Sequence, residues 1–451
     1  MATPTSSERY RKIVTVLVDE GFGTLVDQLG LRVPWVASVR RARPHDSAQA
    51  VPVEVRLRRT MERLGPTFAK IGQLLSVRPD IIPASFAAEL AKLQDEMEPF
   101  PFAQAKTLVE AELGAPLDEL FEKFDEVPAA AASIGQVHRA VLPDGTPVAV
   151  KVQRPGIKAV IEADLQILRT QSRRIQGHTD FAANHDLVAL ADEFSRVLHA
   201  ECDYLQEGEN AEAIASLFRE DPTVLFPRVY WDLTTATVLT MEWLDGIPFN
   251  RLAELDAAGV DRQEIARRGI TCYYEQIFIH GRYHADPHPG NLFAMPDGRV
   301  AFTDFGRTGA LTEDARTQVA DLLVAIIDQN GESAGDILLE VAAAPADVDA
   351  VGLKRDVTRL IGKYYDLKLH EVDTAELVNE IMSLIGKRGL SLPSEFALLL
   401  TTLATIQALG TSVDPEFHFV ESVTPFARRI VEDQMRPSVM LRGVATSVRK
   451  T

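Results

Sequence analysis

The spacing of apolar positions changes period along the chain, and those changes divide it. Over residues 9–29, Tyr10, Ile13, Val14, Leu17, Leu25, Val26 and Leu29 recur near helical spacing, and Gly21 and Gly23 interrupt the middle. This predicts an amphipathic segment with Arg9, Arg11 and Lys12 at its start. Such a segment packs on the protein's own core or lies on a membrane; core packing is the expectation, because most amphipathic helices face a core. Residues 36–52, rich in Arg, Ala and Pro, read as a linker. Residues 53–122 are mostly helical in pattern, broken at Pro66, Pro79, Pro83, Pro99, Pro101 and Pro116.

The period then shortens. Gly135–Val141 and Val148–Val152 are β-type runs flanking the turn Pro143-Asp144-Gly145, which predicts a hairpin. Residues 157–217 return to helical pattern. Two further strands are expected around Arg228–Trp231 and Ala236–Met241. From 246 onward the pattern is helical, except for a short strand pair, Leu292–Ala294 and Val300–Thr303, joined by Pro296-Asp297-Gly298. No internal repeat is visible. The expected fold is α+β and bilobal. An N-terminal amphipathic segment and basic linker (1–52) and a helical extension (53–125) precede a small β-rich lobe (126–245). A large helical lobe (246–410) and a basic C-terminal tail (411–451) follow. Two lobes of this kind suggest a nucleotide cleft between them.

Composition narrows the partners. The chain has 451 residues, 46% apolar and 25% charged, which is ordinary globular usage and enough to bury a sizeable core. The net charge of −18 argues against a general nucleic-acid binder, whose affinity rests on neutralising phosphates. Two segments run against that charge. One holds Arg32, Arg40, Arg41, Arg43, Arg56, Arg58 and Arg59; the other holds Arg428, Arg429, Arg436, Arg442, Arg449 and Lys450. They could face anionic lipid or be ordinary solvated surface. Cys202 and Cys272 make neither a disulfide framework nor a zinc site, so a reducing setting is expected. Met1 to Arg11 lacks an apolar signal-peptide core. The most apolar run, Phe396 to Leu409, is interrupted by Thr401, Thr402, Thr405 and Gln407 and reads as a buried helix. The expectation is a cytoplasmic protein with no membrane span, open to peripheral membrane association.

The chemistry lies in the second lobe. His284-Ala285-Asp286-Pro287-His288-Pro289-Gly290-Asn291 fits H-x-D-x-x-x-x-N, and Asp304-Phe305-Gly306 follows eighteen positions after Asp286. Phosphoryl transfer is catalysed mainly by positioning and charge neutralisation. An Asp in a strand-to-loop turn can bridge Mg²⁺ to phosphates, an Asn can hold a second Mg²⁺, and a further Asp can orient the attacking hydroxyl or water. Asp304, Asn291 and Asp286 suit those three roles, and Gly306 is expected to let the loop turn sharply. In the β-rich lobe, Val148-Ala149-Val150-Lys151 is an apolar strand with one Lys, which needs a counter-charge. Glu207 is the candidate; Glu201, Glu209 and Glu212 compete, and spacing alone does not choose. Where a kinase carries a glycine-rich loop, this chain has Ala129-Ala130-Ala131-Ala132-Ser133-Ile134-Gly135, which is stiffer and sterically fuller.

Together these residues resemble the AarF/UbiB family of atypical kinases, over roughly residues 55–410. Lys70-Ile71-Gly72-Gln73 matches the family's K-x-G-Q signature, Ala130-Ala131-Ala132-Ser133 its alanine-rich loop, and Glu201-Cys202-Asp203 its E-x-D signature. The resemblance implies a protein-kinase-like fold, Glu207 as the partner of Lys151, and Glu201 and Asp203 as partners of Lys70. It implies a nucleotide-binding set of Ala130, Ala131, Ala132, Ser133, Val137, Ala149, Lys151, Glu242 and Leu244, with Asn291 and Asp304 on metal. Lys151, Glu207 and Asp286 are the implied catalytic residues. The K-x-G-Q segment, with Lys70 and Gln73, is implied to be autoinhibitory or regulatory, folding over the cleft where a protein substrate would lie. The implied cofactors are ATP and Mg²⁺. The implied partners are ATP/ADP, with membrane lipid or an isoprenoid quinone precursor and the enzymes of quinone biosynthesis. The implied activity is an atypical kinase or ATPase supporting quinone or related lipid biosynthesis at the membrane surface. A nucleotide-binding scaffold and a small-molecule phosphotransferase are the alternatives. The A-P-E that closes the activation segment of ordinary kinases is absent, which lowers the expectation of a protein substrate.

Overall fold

A computed structural model describes residues 6–28, 51–76, 78, 81–93, 97–176, 186–342, 344, 348–365, 374–390 and 392–434. Nearly all of the expected linker, and Arg32, Arg40, Arg41, Arg43, Arg436, Arg442, Arg449 and Lys450, lie outside the described residues. Strands β1 (Lys123–Phe124), β2 (Ala130–Ala131), β3 (Gly135–Val141), β4 (Pro147–Gln153), β5 (Val224–Leu225) and β6 (Val238–Glu242) come first along the chain. β7 (Ile247–Pro248), β8 (Arg282–His284), β9 (Leu292–Ala294), β10 (Val300–Phe302) and β11 (Thr308–Ala310) follow. The chain divides into two compact units.

The first unit comprises residues 1–208 and 228–243. Its antiparallel sheet has the order β1-β3-β4-β6, and β2 pairs with the other end of β3. Alternation along β4 sends Val148, Val150 and Val152 into a core with Phe100, Val109, Leu117 and Phe121, the last three from the segment around helix Phe102–Leu113. The same alternation turns Ala149 and Lys151 to the opposite face. A second core joins Ile71 of helix Pro66–Ser76, Ile161 and Leu165 of helix Ile157–Ile175, and Phe194 and Leu198 of helix Leu187–Glu201.

The N-terminal segment packs on this unit. Helix Ser6–Asp19 buries Ile13 and Val16 with Leu64 and Ile167, and Gly21 breaks it with φ of 86°. Arg9, placed by its sequence at a cationic start, is buried. Its guanidinium donates to Asp164 Oδ2 at 2.7 Å and to the Leu64 carbonyl at 2.7 Å. Other basic residues are also engaged: Arg58 pairs with Glu62 and Glu89, and Arg56 donates to the Glu20 carbonyl.

The strand expected around Arg228–Trp231 does not form. Only an isolated bridge joins Val229 to Met241, and Trp231–Leu233 closes into a 3₁₀ turn. Thr240 accounts for this: its Oγ1 donates to the Leu233 carbonyl at 2.7 Å and its amide to Thr234 Oγ1 at 3.1 Å, holding the turn closed.

The second unit comprises residues 209–227 and from 244 onward, so residues 209–227 leave the small lobe to which the sequence boundary assigned them. Its sheet has the order β5-β10-β9-β7, with β5 parallel to β10; β8 and β11 form a separate antiparallel pair. The helices are long and largely apolar inward. Ser394–Val413 is long and apolar enough to cross a membrane, yet it buries Phe396, Leu399, Leu403, Ile406 and Leu409 within the unit. The expected basic tail from 411 is replaced, over its described part, by structure. Helix Phe419–Gln434 sets Phe419 and Phe426 on the Tyr274 ring, and the Tyr274 hydroxyl lies 3.0 Å from Ser422 Oγ. Arg428 pairs with Asp328 at 3.0 Å. Apolar anchors at helical spacing, diluted by the surrounding arginines, explain why this stretch read as a tail.

Candidate active site

In the first unit, β4 carries Lys151 and the first turn of helix Tyr204–Leu217 carries Glu207. Lys151 Nζ donates to both carboxylate oxygens, at 2.7 and 2.8 Å. The carboxylate is buried, 3% exposed, while the ammonium side chain is 18% exposed. An ion pair this enclosed holds the ammonium in one direction and leaves it reach toward an anion.

The alanine run departs from the loop that its sequence suggests. Ala130 and Ala131 form β2 and pair with Val137 and Gln136 of β3. The tip is Ser133-Ile134, and none of these residues has a positive φ. The alanines are therefore strand residues in ordinary conformations, held by a ladder that a free glycine-rich loop lacks. Ser133 is buried, 2% exposed, and its Oγ has no hydrogen-bond partner among the described residues. Gly135 follows because no side chain fits: a Cβ there would sit 2.6 Å from the Val152 carbonyl and 2.3 Å from the Tyr204 hydroxyl. Ala149 is opposite Met241 and Arg139, and Glu242 closes β6, accepting from the Arg228 amide at 3.3 Å. Leu244 belongs to the second unit and is buried there.

The K-x-G-Q residues lie on helix Pro66–Ser76. Lys70 Nζ is 3.3 Å from Glu201 Oε2, and Gln73 Nε2 donates to the Leu93 carbonyl at 3.1 Å. Asp203, the second carboxylate expected on Lys70, does something else. It accepts from the Leu205 amide at 3.1 Å and so caps the helix that carries Glu207. Cys202 is buried and its carbonyl accepts from Gln153 at 3.0 Å; burial first, then the charge of Glu201, pushes its thiol up to about 12.

In the second unit, β8 leads into the Asp286 loop and β10 into Asp304. His284, fully buried, joins the two. Its Nδ1 accepts from the Asp286 amide at 3.1 Å, so Nε2 carries the proton and donates to the Thr303 carbonyl at 3.0 Å. Asn291 Nδ2 donates to the Asp286 carbonyl at 3.2 Å and to Asp286 Oδ2 at 3.4 Å. The Thr303 amide and hydroxyl both donate to the Asn291 carbonyl, at 2.9 and 3.2 Å. Phe305 is fully buried against the His284 ring, and its carbonyl accepts from Asn210 at 3.1 Å.

The sharp turn expected at Gly306 occurs at Asp304 instead. Asp304 has φ of 57°, and its Oδ1 accepts from the Gly306 amide at 3.3 Å. Asp tolerates the left-handed region better than most residues because its short polar side chain bonds locally. After Gly306 the chain forms β11 against β8 and enters helix Glu313–Ile327, capped by Thr312.

Mg²⁺ takes few protein oxygens and completes its shell with phosphates and water. The Asp304 carboxylate and the amide oxygen of Asn291, whose nitrogen is engaged with Asp286, are oxygen donors of the kind that need calls for. Among the described residues, no group of three or more His, Cys, Asp or Glu could hold an ion without such help.

These features find their counterpart in known proteins. The ABC1 atypical kinase-like domain matches residues 92–337, more than half the chain, and the UbiB helical domain matches residues 357–418. The chain belongs to the ABC1 (AarF/UbiB) family of atypical kinase-like proteins. An uncharacterised Synechocystis protein, sll1770, is 37% identical over 378 residues, covering 84% of this chain and 65% of its own. The Arabidopsis thaliana chloroplastic protein ACTIVITY OF BC1 COMPLEX KINASE 7 is 36% identical over 381 residues, covering 84% of this chain and 55% of its own. The chain thus spans less than two thirds of these relatives. The solved structure of Mycobacterium tuberculosis Rv3197 with erythromycin aligns with a TM-score of 0.53 at 25% identity, covering 76% of this chain and 88% of that one. The fold is kinase-like and α+β, as the ABC1 match and this neighbour require.

Several residues that shape this ABC1-family site have no motif letter of their own. Gln276 Oε1 accepts from the His284 amide at 2.9 Å, and a π-helical stretch, Glu275–His280, aims it there. Nothing in the helical pattern around Gln276 announces it. Asn210 could have been found, because it lies three residues after Glu207 on the same helix.

Proposed function

We propose that this chain is an ATP- and Mg²⁺-dependent atypical kinase or ATPase that supports isoprenoid quinone or related lipid biosynthesis at a membrane surface. The observation that carries the reading is the enclosed Lys151–Glu207 pair, standing on the face of β4 opposite its core. Lys151 would meet the nucleotide's phosphates, with Ala130, Ala131, Ala132, Ser133, Val137, Ala149, Glu242 and Leu244 as the other residues that would hold the nucleotide. Asp304 and Asn291 would hold Mg²⁺. Asp286 orients the attacking hydroxyl or water and accepts its proton. Mg²⁺ supplies the charge neutralisation of the transferring phosphoryl group. Lys70, Gln73, Glu201 and Asp203 form the regulatory set. The short β11 between Gly306 and the next helix favours water or a small acceptor over a peptide, since it replaces a peptide-docking platform. The domain division we propose follows the sequence boundaries, amended at residues 209–227 and after 411.

A nucleotide-binding regulator is the second reading, favoured by the alanine hairpin held on β3. The test is ATP hydrolysis by the purified chain, with Mg²⁺ and with or without liposomes containing a quinone-like lipid, beside Asp304→Asn. Turnover that needs Mg²⁺ and is lost in the variant supports the enzyme. Tight nucleotide binding without turnover moves the assignment to the regulator.

A further inference from the structure

The Lys151 ammonium has an aromatic neighbour. Its Nζ lies 5.1 Å from the centroid of the Tyr204 ring, within the range of a cation–π contact. Tyr204 is 1% exposed, so the ring side of the contact is shielded from water. Tyr204 precedes Glu207 by three residues on one helix, which puts ring and carboxylate on the same face, both against β4. The ring is itself held in place. The Tyr204 amide donates to the Ala236 carbonyl at 3.3 Å, and Gly135 leaves its hydroxyl room that a Cβ would take.

The two contacts differ in kind. Glu207 binds the ammonium through its hydrogens and, acting alone, would draw it onto the carboxylate. A ring face attracts the whole cation without competing as a strong acceptor, so it sets where the ammonium rests while leaving it able to donate to phosphate. We propose that Tyr204 is a positioning residue for Lys151: the face of its ring, rather than its hydroxyl, holds the ammonium where the nucleotide phosphates meet it. This rests on the nucleotide reading above.

The experiment is MgATP affinity by calorimetry on the full chain, with phenylalanine and its 4-fluoro, 3,5-difluoro and 3,4,5-trifluoro analogues placed at position 204. Fluorination drains the ring face of negative charge while hardly changing its size, so folding is preserved and a packing role would not respond. Tyr204→Phe is expected within about twofold of wild type, with affinity falling stepwise to about tenfold weaker for the trifluoro ring. Tyr204→Leu is expected to lose about tenfold in the wild-type background and less than about twofold in a Lys151→Met background, because a residue acting through Lys151 has nothing left to position. A flat fluorine series alongside a wild type that binds MgATP overturns the role of Tyr204 and leaves the nucleotide reading standing. A loss for Tyr204→Phe as large as for Tyr204→Leu assigns the effect to the hydroxyl and also overturns it. A wild type that does not bind MgATP overturns the nucleotide reading itself.

Discussion

Lys151 and Asp304 are both charged residues near the ends of strands, and the two units hold them differently. Lys151 is held by side chains: Glu207 at 2.7 and 2.8 Å and the Tyr204 ring. The Asp304 loop is held by main chain. His284 joins the Asp286 amide to the Thr303 carbonyl, the Thr303 amide and hydroxyl reach the Asn291 carbonyl, and the strain sits in the φ of Asp304 itself. A side-chain clamp fails when a charge is removed. A scaffold tied through main-chain groups depends most on the residues that tie its strands together.

The comparison breaks most visibly in turnover. Asp304→Asn keeps a residue that tolerates positive φ and removes the charge proposed to hold the metal. ATP hydrolysis is expected to fall at least about a hundredfold, with the melting temperature little changed. If both activity and stability collapse, the scaffold depends on the carboxylate and the contrast is wrong. Next in size is Lys151→Met, which takes the ammonium from a carboxylate that is 3% exposed. Denaturant unfolding is expected to show a loss of about 3 kcal/mol, against about 1–2 kcal/mol for Glu207→Gln, whose lysine is more exposed. Equal losses would mean that burial does not set the asymmetry.

His284→Ala sharpens the other side. It removes one partner from each of two main-chain groups and is expected to cost about 2 kcal/mol, with hydrolysis impaired even where the chain is fully folded. At Asp304, glycine is expected to be about 1 kcal/mol more stable than alanine, since only glycine accepts φ of 57° without strain; equal unfolding midpoints would remove the strain argument. Near neutral pH the smallest effect is that of pH itself. The Cys202 thiol is raised from 9.0 to about 12 by burial, so between those values the folded chain binds more protons than the unfolded one. Stability is therefore unaffected by this group below about pH 9 and falls as pH rises toward about 12. Native protein at pH 8 should leave Cys202 and Cys272, both buried, unreacted with a thiol reagent that titrates both after unfolding.

Much of the fold was legible because it rests on local period. Gly135–Val141 reappears as β3 and Val148–Val152 within β4, since two short β-type runs flanking a Pro-Asp-Gly turn leave little choice. The errors fall where distant or main-chain contacts compete with local pattern. Thr240 bonds to the Leu233 carbonyl and turned an expected strand at Arg228–Trp231 into a 3₁₀ turn. The C-terminal arginines hid a helix whose anchors are two phenylalanines on Tyr274. The N-terminal segment was expected to pack on the core rather than on a membrane, and it does, but no local pattern announced that Arg9 would be closed onto Asp164, 155 residues away.

The sequence by itself determined the chemical inventory: one lysine on an apolar strand, an Asp and an Asn in H-x-D-x-x-x-x-N, an Asp in D-F-G, and their order along the chain. It also determined which face of β4 carries Lys151, because side chains alternate whatever the tertiary context. Spacing left open which carboxylate meets that lysine, and the tertiary structure brought Glu207 to it; only the tertiary structure decided that Asp203 caps a helix and that the alanines lie in a paired strand. It alone put the strained φ at Asp304 rather than at Gly306 and brought Tyr204 beneath the ammonium. The physical reason is range. Alternation and helical period act over a few residues, whereas Lys151 and Glu207 stand 56 residues apart, and their meeting depends on the packing of everything between them.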